Sequence, residues 1–104
     1  MKINQVLKAL SHPIRREIIT RLRDGPQSAG ELASNFGVSK PTMSTHFAAL
    51  KDADLITAER DGVTINYHLN TTVAEEAMSA VMGILGAGEE KAPAIKNKRK
   101  KAAI

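Results

Sequence analysis

Apolar residues in the first quarter of the chain recur at α-helical spacing. Near its start they fall at i, i+3, i+4 and i+7, which predicts one buried helical stripe formed by Ile3, Val6, Leu7 and Leu10. His12 and Pro13 interrupt this pattern, because proline lacks an N–H and suits the first turn of a new helix, with Ser11 or His12 at its cap. A second helix is therefore predicted from Pro13 to about Asp24. It leaves its arginines in solvent, namely Arg15, Arg16, Arg21 and Arg23.

A pair of short helices is predicted next. Ser28 and Glu31 have the spacing of a capping box, so a helix is expected to begin there. Gly37 is predicted to end this helix in the left-handed conformation, and Ser39 to cap the helix that follows over residues 40–53. Two helices joined by so short a turn form a helix-turn-helix, in which the second helix can enter the DNA major groove.

Residues 55–69 have the alternating pattern of a β-hairpin. Asp61 and Gly62, the strongest short hairpin signal, separate two strand-like runs. In the second run apolar residues alternate with polar ones, which predicts one buried face formed by Val63, Ile65, Tyr67 and Leu69. A helix-turn-helix followed by a hairpin predicts a winged helix, which is a mainly α fold with five helices and a two-stranded wing.

A final helix is predicted to begin at Thr71 or Thr72 and to end in the Gly-Ala-Gly segment 86–88. Its apolar face, like that of the first helix, is wider than a small monomer needs to bury. We therefore expect a homodimer whose interface is formed by the first and last helices, through Ile3, Val6, Leu7, Leu10, Val73, Ala77, Val81, Ile84 and Leu85. The alternative is that both helices pack entirely on their own domain.

The helix predicted over residues 40–53 has an unusual outer face. Opposite its buried stripe of Met43, Phe47 and Leu50 stand small, uncharged side chains, where a solvated helix would carry Glu and Lys. Hydroxyl groups there could hydrogen-bond to base edges, alanine methyls could touch thymine methyls, and Lys40 could reach a phosphate or a guanine. Packing against another protein helix, which also favours small residues, is the alternative.

The hairpin tip adds a second candidate contact. Arg60 could reach a flanking phosphate or a narrow minor groove, although its neighbours Glu59 and Asp61 would repel the same backbone. The residues predicted to bind DNA are Ser39, Lys40, Pro41, Thr42, Ser44, Thr45, His46 and Arg60. Because His46 flanks the buried stripe, it is expected either to pack or bond locally or to contact a phosphate.

Composition indicates one small domain and a charged tail. The chain has 104 residues, 42% of them hydrophobic, which suffices for a single core. Residues 1–86, the predicted domain, hold nine basic and nine acidic side chains, whereas residues 87–104 hold six basic and two acidic ones. The tail thus carries the whole net charge of +4, and it is predicted to be either a flexible basic arm for phosphate contacts or a solvated end.

Several functional classes are excluded by missing residues. The absence of cysteine rules out disulfides, thiolate metal sites and thiol catalysis. No two histidines have the i, i+3 or i+4 spacing of a helical metal site, and the adjacent Glu75 and Glu76 point about 100° apart on a helix, so no metal or cofactor is expected. Without a signal peptide, membrane span or catalytic motif, we expect a cytoplasmic protein with no enzymatic activity and no membrane contact.

Three stretches resemble the ArsR/SmtB family of bacterial winged-helix repressors: LKALSHPIRREIITRL, AGELASNFGVSKPTMSTHFAALKDADLI and ERDGVTINYHLN. The segment LNTTV is similar to the SdpR-like autorepressor branch of this family. The resemblance implies an obligate dimer through the first and last helices, wings that reach outward, and operator recognition by Lys40, Pro41, Ser44 and Thr45. Many members sense metals through cysteines or His/Asp pairs, which this chain lacks at the corresponding places.

Together these patterns predict a dimeric, nucleoid-associated repressor that binds a palindromic promoter operator in double-stranded DNA, with a small molecule or a protein as its candidate inducer. An architectural protein that binds any duplex through the basic tail is the main alternative, although the predicted domain has no excess of positive charge. A winged helix that binds protein instead of DNA is a further alternative.

Overall fold

Five α-helices and three β-strands make up residues 1–87, the part of the chain that the computed structural model describes. This is the mainly α winged helix-turn-helix predicted from the sequence. No helix in this range is long and apolar enough to cross a membrane. In chain order the elements are α1 (Ile3–Ala9), α2 (Pro13–Leu22), β1 (Gln27–Ser28), α3 (Ala29–Ala33), α4 (Lys40–Asp52), β2 (Ile56–Asp61), β3 (Thr64–Leu69) and α5 (Thr71–Leu85).

A mostly aliphatic core joins the helices to the sheet. Its largest fully buried side chains come from the first four helices, namely Val6, Ile18, Leu32, Met43 and Leu50. Phe47 of α4 stacks on Tyr67 of β3 with ring centroids 4.6 Å apart, which holds α4 against the sheet. Full burial of one such apolar side chain contributes roughly 1.5–3 kcal/mol, so α4 is among the most firmly held elements.

Local capping patterns start two helices where the sequence predicts them. The His12 ring accepts a hydrogen bond at Nδ1 from the Ile14 amide at 3.2 Å, and Pro13 is the first residue of α2. Ser28 Oγ accepts a hydrogen bond from the Glu31 amide at 3.0 Å, while Glu31 Oε1 accepts one from the Ser28 amide at 2.8 Å. This reciprocal capping box confirms the predicted start of α3.

The prediction for the end of α3 is wrong. The helix stops at Ala33, and Gly37 does not adopt the left-handed conformation. Ser34 Oγ and Asn35 Nδ2 each donate a hydrogen bond to the Glu31 carbonyl oxygen at 2.8 Å, so side chains satisfy a backbone acceptor near the helix end. A six-residue turn therefore separates α3 from α4, which is longer than the turn expected from the sequence.

The wing belongs to a three-stranded antiparallel sheet with strand order β1-β3-β2, one strand more than predicted. The additional strand pairs Gln27 with Tyr67 and Ser28 with Asn66. Two residues are too short a segment to show an alternating pattern, and Ser28 also carries the capping signal of α3. Pairing with a strand far along the chain, and not the local sequence, therefore creates β1.

The hairpin turn lies one residue later than predicted. Asp61 pairs with Thr64, which leaves Gly62 and Val63 as a two-residue turn. Gly62 has a φ of +64°, a conformation that glycine adopts without steric cost. Val63 is consequently 97% exposed at the tip, instead of being buried on the face that it was expected to share with Tyr67.

The last helix, α5, begins at Thr71 as predicted, and Asn70 caps it. Its Oδ1 accepts a hydrogen bond from the Val73 amide at 3.3 Å. The Asn70 amide donates to the Leu55 carbonyl oxygen at 2.9 Å, so the cap is fixed where β3 ends. The Gly-Ala-Gly segment ends the helix as predicted, and its first glycine has a φ of +75°.

The substitution Leu50→Ala tests how far folding depends on the core around α4. Leu50 is fully buried, so its truncation should lower the free energy of unfolding by about 2–5 kcal/mol through lost burial and a residual cavity. Val63→Ala, at the exposed wing tip, is the control and should change it by less than about 0.5 kcal/mol. Urea denaturation followed by circular dichroism measures both values, and similar losses in the two variants would contradict this account of the core.

Candidate nucleic-acid interface

Ser39 caps the start of α4. Its Oγ accepts a hydrogen bond from the Thr42 amide at 3.3 Å and donates one to Thr42 Oγ1 at 2.9 Å. Pro41 lies in the first turn, where its missing N–H costs no intrahelical bond. The apolar stripe that follows faces the core, and it includes Met43, Phe47 and Leu50. The opposite side of α4 is therefore exposed.

The exposed side of α4 is small and nearly uncharged. Thr45 Oγ1 donates to the Pro41 carbonyl oxygen at 3.1 Å, which leaves the hydroxyl lone pairs available as acceptors. Ser44 presents a hydroxyl that can donate and accept, and Lys40 adds one positive charge at the helix start. We call this set of exposed side chains the reading face: Lys40, Pro41, Thr42, Ser44, Thr45 and Ala48.

A shallow depression of about 240 Å³ between α3 and α4 borders the reading face. Lys40 and Ser44 line it from α4, while Ala29, Gly30 and Ala33 line it from α3. Because the side chains on α3 are small here, Lys40 and Ser44 are accessible from the side as well as from the front. The reading face is thus wider than the outermost row of α4 alone.

His46 does not lie on the reading face, which contradicts its predicted role in DNA contact. It is 5% exposed, and its Nδ1 accepts a hydrogen bond from Arg15 Nε at 3.1 Å. The His12 ring lies 4.4 Å away, centroid to centroid. Burial lowers the pKa of His46, and electrostatic interactions with His12 and Arg15 lower it further. Its spacing from Met43 and Leu50 matches the buried stripe, and its burial agrees with the other expectation for this residue, local packing and hydrogen bonding.

Arg15 is the partner that the sequence pattern did not identify. We expected it in solvent, but it is half-buried beside α4. Arg21, also expected in solvent, is half-buried with its Nε 3.3 Å from Glu17. Arg15 and His46 are 31 residues apart, and no local pattern connects side chains at that separation.

Arg60 lies on a different side of the wing from its acidic neighbours. It pairs with Ile65 and therefore shares the face of that residue, whereas Glu59 and Asp61 point to the opposite face. Glu59 Oε1 lies 3.1 Å from His68 Nε2 on that opposite face. The repulsion expected from the two carboxylates is therefore weaker than the sequence order suggested.

The side chains predicted to form a dimer interface divide between core and surface. Val6 and Ala77 face the core of their own chain, at 0% and 7% exposure, so the structure does not place them on an open surface. Four others are partly buried, namely Ile3, Leu10, Val73 and Val81. An apolar groove of about 310 Å³ runs between α1 and α5. Exposed apolar residues on these two helices form what we call the terminal apolar face: Leu7, Met78, Met82, Ile84 and Leu85.

Two further features bear on the predicted ligands. Among residues 1–87, no three His, Cys, Asp or Glu side chains are grouped so that they could hold a metal ion. Glu75 and Glu76 are both exposed on α5. The predicted basic tail falls almost entirely on residues 88–104, which lie outside the described residues.

Comparison with known proteins connects this geometry to transcriptional regulators. A helix-turn-helix domain model matches residues 10–59. The chain is 39% identical over 87 residues to the transcriptional repressor SdpR of Bacillus subtilis, covering 84% of this chain and 97% of SdpR. It is 31% identical to a biofilm growth-associated repressor of Xylella fastidiosa, covering 88% and 80% of the two chains. An ArsR-like transcriptional regulator from Rhodococcus sp. RHA1 has a similar structure, with a TM-score of 0.69 and 29% identity over 82% of this chain and 79% of that one.

The substitution Ser39→Ala tests the cap that begins the reading face. Loss of the hydrogen bond to the Thr42 amide should lower the free energy of unfolding by about 0.5–2 kcal/mol. Ser44→Ala makes the same chemical change in the middle of α4 and should leave stability unchanged or slightly higher, since alanine favours helix. Thermal denaturation of both variants measures the difference, and equal stability would contradict the capping role of Ser39.

Proposed function

This chain belongs to the ArsR/SmtB family of winged helix-turn-helix transcriptional repressors, and on that basis we propose that it binds a promoter operator as a homodimer and blocks transcription there. The observation that carries the proposal is the reading face of α4, which is exposed, capped at its start and free of acidic side chains. We infer that it acts in the cytoplasm, where bacterial promoter DNA lies, and we assign it no enzymatic activity.

The reading face supplies groups suited to base edges in the major groove. The Ser44 hydroxyl can bond to donors or acceptors on bases, the Thr45 hydroxyl oxygen can accept from base donors, and the Ala48 methyl can contact a thymine methyl. These side chains are short, so the helix backbone can approach the bases closely. We propose that sequence preference arises mainly from Ser44 and Thr45.

Positioning on the duplex requires contacts with phosphates. Lys40, at the start of α4, can reach a phosphate beside the groove, and the Thr42 hydroxyl, whose oxygen accepts from Ser39 Oγ, can donate to the same backbone. On the wing, Arg60 is exposed and separated from the two neighbouring carboxylates by the alternation of the strand. We propose that Arg60 contacts flanking DNA.

The terminal apolar face favours a dimer. Exposed side chains such as Leu7, Met82 and Leu85 lie on α1 and α5 beside the apolar groove, and large apolar surfaces of this kind mark protein interfaces. A two-fold dimer would present two copies of α4 to half-sites about 34 Å apart, one turn of the duplex. This arrangement fits a palindromic operator.

The proposal is tested by competition between the promoter region upstream of the protein's own gene and scrambled DNA of equal length, at matched salt. A preference of roughly a thousandfold or more is expected, since that is the low end of specific discrimination. Removal of residues 88–104 should preserve the preference, because the reading face lies within the remaining residues. Equal binding to both DNAs that disappears with the tail would instead identify a non-specific architectural protein.

Two substitutions separate base reading from phosphate contact. Thr45→Ala should relax the preference at one operator position by about 1–3 kcal/mol, the value of one good base contact. Lys40→Ala should weaken binding to every sequence and reduce the slope of log K against log salt by about one.

Lys51→Ala is the matched control for the second change, because Lys51 has the same charge at the far end of α4, roughly 16 Å along the axis. Operator-variant competition and salt titration measure these effects. Wild-type behaviour of both Thr45→Ala and Lys40→Ala would show that another surface binds DNA.

A further inference from the structure

A hydrogen bond crosses from α2 to the buried side of α4. Arg15 Nε donates to His46 Nδ1 at 3.1 Å, directly behind the reading face. The His12 ring lies against the His46 ring at 4.4 Å, and His12 Nδ1 is itself occupied by the Ile14 amide. We call these three side chains, His12, Arg15 and His46, the α2–α4 cluster.

The hydrogen bond in this cluster requires a neutral His46. The Arg15 guanidinium stays protonated throughout the physiological range and has donors but no acceptor. His46 must therefore offer the lone pair of Nδ1, with its hydrogen on Nε2. A proton added to Nδ1 would set two N–H groups against each other and place a second positive charge beside the first.

The groups that face the His46 ring disfavour its protonation. His12 and Arg15 both face the His46 ring from α2 and, together with the larger effect of burial, lower the pKa of His46. On the other elements packed there, Lys8 of α1 and Asp52 of α4 line a groove of about 200 Å³ together with Arg15. Asp52 is the one acidic side chain in that lining, and it borders the Arg15 side of the cluster.

We propose that Arg15 is a positioning residue for DNA recognition and that His46 is a proton-sensitive link between α2 and the reading face. Apolar contacts of Met43 and Phe47 hold α4 in the core without strict direction, whereas the Arg15–His46 hydrogen bond is directional. The bond therefore adds a directional restraint to the rotation of α4 that the apolar contacts set. This inference rests on the proposed function, because it assumes that α4 reads DNA.

The sign of the pH effect distinguishes this link from ordinary charge attraction. Protonation of any histidine near DNA adds positive charge and should strengthen binding. Protonation of His46 instead breaks its hydrogen bond and should weaken binding. The pKa of His46 in the folded protein lies below the ordinary value of about 6.5. The bond is therefore intact above about pH 6.5 and is lost as the pH falls through the lowered pKa of the folded protein.

The test compares operator affinity of full-length wild type and His46→Gln between about pH 7.5 and about pH 5 at constant ionic strength. Glutamine keeps an acceptor oxygen for Arg15 but cannot be protonated. Wild-type affinity should fall relative to the variant in step with protonation of the His46 ring, by roughly tenfold where that protonation is complete, the contribution of one charge-assisted hydrogen bond. His68→Gln, which changes a histidine on the wing outside the cluster, is the matched control and should follow the wild type.

The substitution Arg15→Met separates positioning from phosphate contact. If Arg15 positions α4, operator affinity should fall while the salt slope stays unchanged; a phosphate contact would reduce that slope by about one. In a His46→Leu background, which has already lost the acceptor, Arg15→Met should have little additional effect on affinity.

The wild-type protein gives a readout that requires no variant to fold. In proton–nitrogen NMR spectra, the amides of Ser44 and Thr45 should shift with the same pH midpoint as the His46 ring. Amides that stay unchanged through the titration of that ring would overturn the inference.

Failure of this inference and failure of the proposed function are distinguishable. No operator preference in the wild type at about pH 7.5 would overturn the proposed function itself. A preserved preference, with the same pH dependence in wild type and His46→Gln or with a reduced salt slope in Arg15→Met, would overturn this inference alone.

Discussion

Burial of one side of α4 is the constraint on which the rest of the structure depends. Met43, Phe47 and Leu50 lie in the core, and Phe47 stacks on Tyr67 of the sheet. Because side chains repeat around a helix at a fixed angle, anchoring this side also decides which residues face outward. The contacts that stabilise the domain are therefore the same ones that orient the reading face.

Few charged side chains lie on the surfaces proposed to bind DNA. The reading face carries Lys40 and no carboxylate, and on the wing Arg60 is separated from Glu59 by the alternation of β2. The domain as a whole has as many acidic as basic side chains. Under the proposed function, discrimination between DNA sequences would depend on hydrogen bonds and close fit at α4, because the long-range electrostatic attraction between the domain and DNA is weak.

A polar cluster interrupts the apolar anchoring of α4 at one point. His46 occupies a stripe position that an apolar residue could fill, and burying an imidazole costs free energy unless a partner satisfies it. Arg15 provides that partner and, with His12, ties the start of α2 to the middle of α4. The cluster adds a directional restraint to the core, because the strength of a hydrogen bond depends on its angle and the strength of an apolar contact does not.

The sequence by itself determined the features whose signals lie within a turn or two: the stripe of α4, the start of α2 after a cap at Ser11 or His12, the cap at Ser28, and the glycine that ends α5. It also identified the exposed residues of the reading face, since helical period alone separates them from the core. Only the tertiary structure decided that residues 27–28 form a strand, that His46 turns inward to Arg15, and which side of the wing Arg60 occupies. Caps and periodicity depend on neighbouring residues, whereas strand pairing and the α2–α4 hydrogen bond depend on partners about 30 to 40 residues away.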